Sequence, residues 1–165
     1  MDKVYFAKVK ENGIIPSKRN EDGAYDIYAC FDNDELYIHP NDIVFIKTGI
    51  ASSFSSDYRL ILKERGSTGS IGLSVRCGVI DSGFLNEWSV ILNNTSDNLI
   101  IITKNIEEKK SNNGVIYYPY SKAIAQASLQ VVPKVEIVEI PYSELITRES
   151  EKGLGMLGSS GKWMF

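Results

Sequence analysis

Short runs of β-branched and aromatic residues recur along this chain, at 4–9, 35–38, 43–46, 58–62, 89–92, 99–103, 123–129 and 135–140. Clusters of Asn, Asp, Gly and Pro separate them, the residues that stop a strand and turn the backbone. Strands this short and frequent predict an all-β domain, a distorted β-barrel or jelly roll, and not an α/β sheet. One short helix is predicted at 142–148, directly after Pro141. There is no internal repeat and no linker, so one β domain over 1–150 is expected, followed by a Gly/Ser-rich tail over 151–165. That tail has few large apolar groups before Trp163, which suits either a frayed terminus or a flexible flap that orders over an anion. The charged excursion at 104–114 (Lys-Asn-Ile-Glu-Glu-Lys-Lys-Ser-Asn-Asn-Gly) is predicted to be a solvated loop between strands.

A chain of 165 residues is long enough for a single core. Its net charge of −3 gives no electrostatic reason to expect nucleic acid as a partner. A polyanionic small molecule would therefore be met by local basic residues and a metal. Two cysteines, Cys30 and Cys77, are too few for a disulfide framework and read as reduced thiols. The single histidine, His39, excludes a His-rich metal cage and is expected in a turn before Pro40. No apolar run reaches the length of a membrane span and the first residues carry no signal-peptide pattern, so a soluble, cytoplasmic protein is expected.

Candidate chemistry concentrates in two segments, Arg65-Gly-Ser-Thr-Gly and Gly78-Val-Ile-Asp-Ser-Gly-Phe84. A guanidinium beside small residues can hold a phosphate closely, because Gly and Ser let backbone N–H groups face the anion. Asp81, between apolar residues and a Ser-Gly turn, is a candidate general base at a strand end. Taken singly, the first segment also reads as an ordinary turn, and Asp81 as a residue capping its own turn. Three more segments change the balance: Gly23-Ala-Tyr-Asp-Ile-Tyr-Ala29, Lys122-Ala-Ile-Ala-Gln126 and Lys152-Gly-Leu-Gly-Met-Leu-Gly-Ser-Ser-Gly-Lys162. Five segments in this order resemble the five motifs of the trimeric dUTPases, the dUTP diphosphatases. The resemblance runs from about Gly23 to Lys162, and Glu64-Arg-Gly-Ser-Thr-Gly69 is closest to the phage and Gram-positive-type members.

The resemblance implies hydrolysis of dUTP to dUMP and pyrophosphate, with Asp81 activating a water that attacks the α-phosphorus. Arg65, the Gly66 amide and Ser67 would hold phosphates; the usual pattern has Ser directly after the Arg, whereas Gly66 intervenes here. Mg2+ would be held mainly by phosphate and water, with Asp26 and Gln126 reaching it through water. Phe84, where many relatives have Tyr, would pack beneath the deoxyribose. Uracil would be read by backbone of the hairpin around Gly78, Val79 and Ile80. In the tail, Lys152 replaces the usual Arg and Leu157 a stacking Phe, while Gly158, Ser159 and Ser160 would capture phosphate. The family arrangement implies a homotrimer with shared sites, the 151–165 flap serving a neighbouring subunit. A regulatory protein on this fold, engaging a protein partner through the 104–114 loop, is the alternative from another class. A dCTP deaminase, which resembles the family in fold, needs a Glu where this chain has Ile91.

Overall fold

The computed structural model describes residues 3–112 and 114–155. Its first half runs β1 (Tyr5–Lys8), β2 (Tyr25–Ile27), β3 (Glu35–Ile38), β4 (Ile43–Lys47), β5 (Ile50–Ser53) and β6 (Tyr58–Lys63). A helical turn, α1 (Gly66–Gly69), leads to β7 (Leu73–Arg76), β8 (Val79–Asp81), β9 (Ser89–Asn94) and β10 (Leu99–Thr103). After a 3-10 turn at Ile106–Glu108 come β11 (Val115–Pro119), β12 (Ala125–Val131) and the short helix α2 (Tyr142–Leu145). Two units result: Met1–Pro133 holds all the described strands, and Lys134–Phe165 holds α2.

The strands of the first unit form four small sheets, ordered β1-β5, β11-β10-β3, β2-β12-β6-β8 and β4-β9-β7, none closed on itself. All pairings are antiparallel except β10 with β11, whose connection is the 104–114 segment. This is the all-β jelly-roll class that the strand pattern predicts. The inward faces converge on one core, in which Trp88, Ile27, Ile38, Leu60, Leu92 and Ile102 are fully buried. Phe6 packs edge-on against Trp88 with ring centroids 5.5 Å apart. Burying a side chain of this kind contributes about 1.5–3 kcal/mol, so the core, not local propensity, holds these short strands together.

In places the sequence reading differs from the structure: β2, β5, β7, β8 and β11 lie outside the predicted runs, and the helix predicted at 142–148 covers Tyr142–Leu145. The run at 135–140 forms no strand; Val135, Ile137 and Val138 are exposed, and prolines bracket the segment. Strand composition without a ladder partner does not make a strand, because the backbone groups gain nothing over water. The Arg65-Gly-Ser-Thr-Gly segment winds into the helical turn α1. The predicted turn at His39 is present: its N–H donates to Asp42 Oδ2 at 2.9 Å and its carbonyl accepts from the Asp42 N–H at 3.0 Å.

Candidate active site

Cross-strand register assembles the first part of the site. On β12, Gln126 stands directly opposite Asp26 of β2 on one side and Lys63 of β6 on the other. Residues in register across antiparallel strands project from the same face with Cβ atoms about 5 Å apart, so an amide and a carboxylate are held side by side. The Gln126 amide is fixed by its Nε2, which donates to the Glu64 carbonyl at 2.6 Å. Glu64 is fixed in turn: its carboxylate accepts the Val75 N–H at 2.7 Å. That backbone donor holds the Glu64 carboxyl below its ordinary pKa.

Arg65 follows at once and turns back onto Asp26. Its Nε meets Oδ1 at 2.8 Å and its Nη2 meets Oδ2 at 3.2 Å, a two-pronged pair between half-buried groups. The Nη1 also reaches Ser67 Oγ at 3.4 Å. A guanidinium carries five N–H donors, so about two remain for a ligand. The turn α1 is pinned from below by buried Thr68, whose Oγ1 accepts the Arg65 N–H at 3.0 Å. The opening amides of a helical turn, here Gly66 and Ser67, have no intrahelical acceptor. A Cβ added at Gly66 would meet nothing within 4 Å, so the approach to these amides is open.

Ser67 has a partner the sequence did not disclose. Its Oγ lies 3.2 Å from the hydroxyl of buried Tyr118, which donates its own proton to the Ala123 carbonyl at 2.7 Å. With that proton used, Ser67 is the donor of the pair and its lone pairs face Arg65. Asp26, Arg65 and Gln126 then line one cavity of about 700 Å3, which the loop at 17–24 also lines.

Asp81 lies elsewhere. It ends β8, where its carbonyl accepts the Phe84 N–H at 3.1 Å and closes the Ser82-Gly83 turn. Its carboxylate is exposed and lines a second cavity of about 300 Å3 with Cys77, Val79, Phe84, Phe45 and Ile91. Phe84 is 42 % exposed and Phe45 69 %, so neither ring belongs to the core. Ile80 is buried in the core, whereas Val79, at the free edge of the sheet, directs its backbone groups away from β6 in the alternation of an antiparallel ladder. Gly78 sits tightly on β6: its carbonyl accepts the Leu62 N–H at 2.7 Å, and a Cβ there would stand 2.5 Å from the Leu62 oxygen.

The structure thus brings Asp26, Arg65, Gly66, Ser67 and Gln126 together, and separately Gly78, Val79, Ile80, Asp81 and Phe84. Asp81 is in register with Arg59, and Lys63 is four residues further along β6. At roughly 3.3 Å per residue that is about 13 Å, with Arg65 beyond it. Of the tail residues, Lys152 lies in the second unit, where its carbonyl accepts the Gly155 N–H at 3.1 Å; Leu157, Gly158, Ser159 and Ser160 fall outside the described residues. Phe45 left a signal, since the unbroken Ile-Val-Phe-Ile of β4 puts apolar groups on both faces of the strand. Tyr118 left none, because its hydroxyl acts only through the fold. The 104–114 loop is mostly exposed but anchored: Lys104 donates to the Asp32 carbonyl at 2.9 Å, and Lys109 pairs with Glu35 at 2.9 Å.

Comparison with known proteins bears on the family and the fold. The dUTPase family model matches residues 10–107. The deoxyuridine 5'-triphosphate nucleotidohydrolase of Hydrogenobaculum sp. (strain Y04AAS1) is 30% identical over 164 residues, covering 88% of this chain and 97% of its own. The dUTPase of Staphylococcus bacteriophage 80alpha, solved with dUPNHPP, shares the fold with a TM-score of 0.77 at 21% identity, over 97% of this chain and 99% of that one. The dUTPase of phage phi11 of S. aureus, in which a structural Mg(II) ion is coordinated, gives 0.65 at 19% identity, over 84% and 96%. Among the described residues, no helix is long and apolar enough to cross a membrane.

Proposed function

The chain belongs to the dUTPase family, and from that premise we propose that it hydrolyses dUTP to dUMP and pyrophosphate at a site shared between copies. One observation carries the reading: Asp26, Arg65 and Gln126 converge on one cavity wall, beside the open amides of α1. Arg65 arrives pre-oriented by its fork on Asp26, with N–H groups left over for phosphate oxygens. Ser67 turns its proton from Tyr118 to a phosphate oxygen when the substrate is bound.

Asp81 accepts a proton from the water that attacks the α-phosphorus. The bond to the α–β bridging oxygen breaks, and that oxygen leaves with pyrophosphate, whose charge Arg65 and the α1 amides stabilise. Phe84 packs beneath the deoxyribose and leaves no partner for a 2′-hydroxyl. The outward backbone of Val79 reads the base. Ile91, which borders the same cavity, offers no proton to a cytosine C4, which argues against deamination.

The donors present fit magnesium brought in with the nucleotide. Among the described residues no three His, Cys, Asp or Glu side chains cluster as a metal cage. Asp26 and Gln126, adjacent on one face, would contact it through water. Bound there, magnesium supplies neutralisation of the phosphate charge.

The separation of Asp81 and Arg65 along β6 supports a site completed by more than one chain. We take the working form to be a homotrimer, with the cradle from one copy, the hairpin from a second, and the tail with Lys152 and its Gly/Ser residues closing from a third. Pyrophosphate release with magnesium from dUTP, dCTP, dTTP and UTP tests the reading. Release is expected from dUTP alone, and Asp81→Asn should still bind dUTP while losing turnover by about 10³-fold or more. Near-normal turnover in Asp81→Asn would remove this residue from the mechanism, and no release from dUTP would reject the activity.

A further inference from the structure

The larger cavity, which Arg65 lines, is also lined by a loop tied to itself. The Asp26 N–H donates to the Ser17 carbonyl at 3.0 Å and closes its two ends. Inside, the Asp22 N–H donates to the Arg19 carbonyl at 3.1 Å and the Arg19 N–H donates back to Asp22 Oδ2 at 3.1 Å. Lys18 Nζ binds the carbonyls of Asp22 at 2.8 Å and Arg19 at 3.2 Å, and stands 5.6 Å over the Tyr25 ring. These bonds leave Lys18 as a staple of the loop.

Arg19 is held differently. Its Nε and Nη2 grip the two Asp22 oxygens at 3.1 and 3.2 Å, yet the side chain is 88 % exposed. The fork uses two of its five donors, and about three remain open. Both Arg19 and Asp22 line the cavity that Arg65, Asp26 and Gln126 also line. An arginine oriented by a carboxylate, with free donors over a cavity, is ready to bind a phosphate, because little ordering is left to pay on binding.

We propose that the 17–26 loop is a second phosphate-binding arm of this site, with Arg19 taking the distal phosphates of the triphosphate. The inference rests on reading the Arg65 side of the cavity as the phosphate cradle. Asp22 is then a positioning residue, and selectivity for a triphosphate over the monophosphate product comes partly from Arg19.

The experiment compares wild type, Arg19→Ala and Arg65→Ala for steady-state hydrolysis of dUTP and, by calorimetry, for binding of pyrophosphate and dUMP. In Arg19→Ala the KM for dUTP should rise about tenfold, as for loss of a charge-assisted hydrogen bond, with kcat falling far less. Pyrophosphate binding should weaken in parallel and dUMP binding should not. Equal pyrophosphate affinity in wild type and Arg19→Ala, with Arg65→Ala weakened, overturns the role of Arg19 and leaves the cradle standing. If Arg65→Ala also binds pyrophosphate as wild type does, the cradle reading fails and the inference with it.

Discussion

At the scale of single residues, the hairpin carrying Asp81 depends on a missing side chain. Gly78 lies so close to β6 that a methyl group would stand 2.5 Å from the Leu62 oxygen. Before it, Cys77 takes φ 52°, a left-handed conformation that costs a residue with a Cβ roughly 1–2 kcal/mol. Gly78→Ala is expected to destabilise the fold by about 1–3 kcal/mol, since the ladder bond to Leu62 must stretch to make room. Urea denaturation measures this, and an unchanged midpoint would show that the hairpin can shift freely. The Gly-rich sequence around Asp81 disclosed a turn, but not that glycine was needed there for approach to a neighbouring strand.

At the scale of elements, the segment joining β10 to β11 shows that an exposed, charged loop can still be anchored. Its lysines and glutamates read as a solvated loop, yet Lys109 pairs with Glu35, and Lys104 stands 5.5 Å over Phe31 and 5.2 Å over Tyr120. The Tyr37 hydroxyl and then the Lys109 ammonium hold the Glu35 carboxyl below its ordinary pKa. The same contacts raise the pKa of Tyr37 and Lys109. A depressed carboxyl stabilises the fold above its unfolded pKa of about 4.3 and loses that contribution as pH falls through the folded value. The raised Tyr and Lys values keep their contribution in place until the pH is strongly alkaline. Glu35→Gln should therefore lower the urea midpoint at pH 7, and the gap to wild type should close towards pH 3. A gap that persists at pH 3 would mean the pair contributes through shape, not charge.

Elements with a strong pattern were legible: β3 and β10 have the predicted bounds, because Ile38, Ile100 and Ile102 face the core and the two strands pair with each other. The weakly patterned β5 and β7, Ile-Ala-Ser-Ser and Leu-Ser-Val-Arg, are strands only because β1 and β9 pair with them. The run at 135–140 is the converse, composition without a partner. The site followed the same logic. Asp26, Arg65 and Gln126 stood out as motif residues, whereas Tyr118 and Arg19 are placed by register and loop closure that no local pattern encodes.

For the whole molecule, the proposed shared site would make catalysis a property of the assembly. Homotrimers of Asp81→Asn and of Arg65→Ala should each be inactive, yet subunits mixed in equal amounts and allowed to exchange should recover activity. If cradle and hairpin come from different copies, about a quarter of the sites in a random mixture pair an intact Arg65 with an intact Asp81. Activity near that fraction of wild type supports the shared site, and none after verified exchange would place both residues in one chain's site.

The pairing of charges around the larger cavity reaches beyond binding strength. Lys18, Arg19 and Arg65 face Glu21, Asp22 and Asp26 there, so the wall carries little net charge before a nucleotide arrives. The chain as a whole is at −3. An anion some distance away therefore feels no attractive field and finds the cavity by undirected diffusion, so added salt, which slows steered encounters, should leave the rate of capture nearly unchanged. In the proposed site, attraction would begin only at contact, where a phosphate takes up the guanidinium donors that the forks on Asp22 and Asp26 leave open.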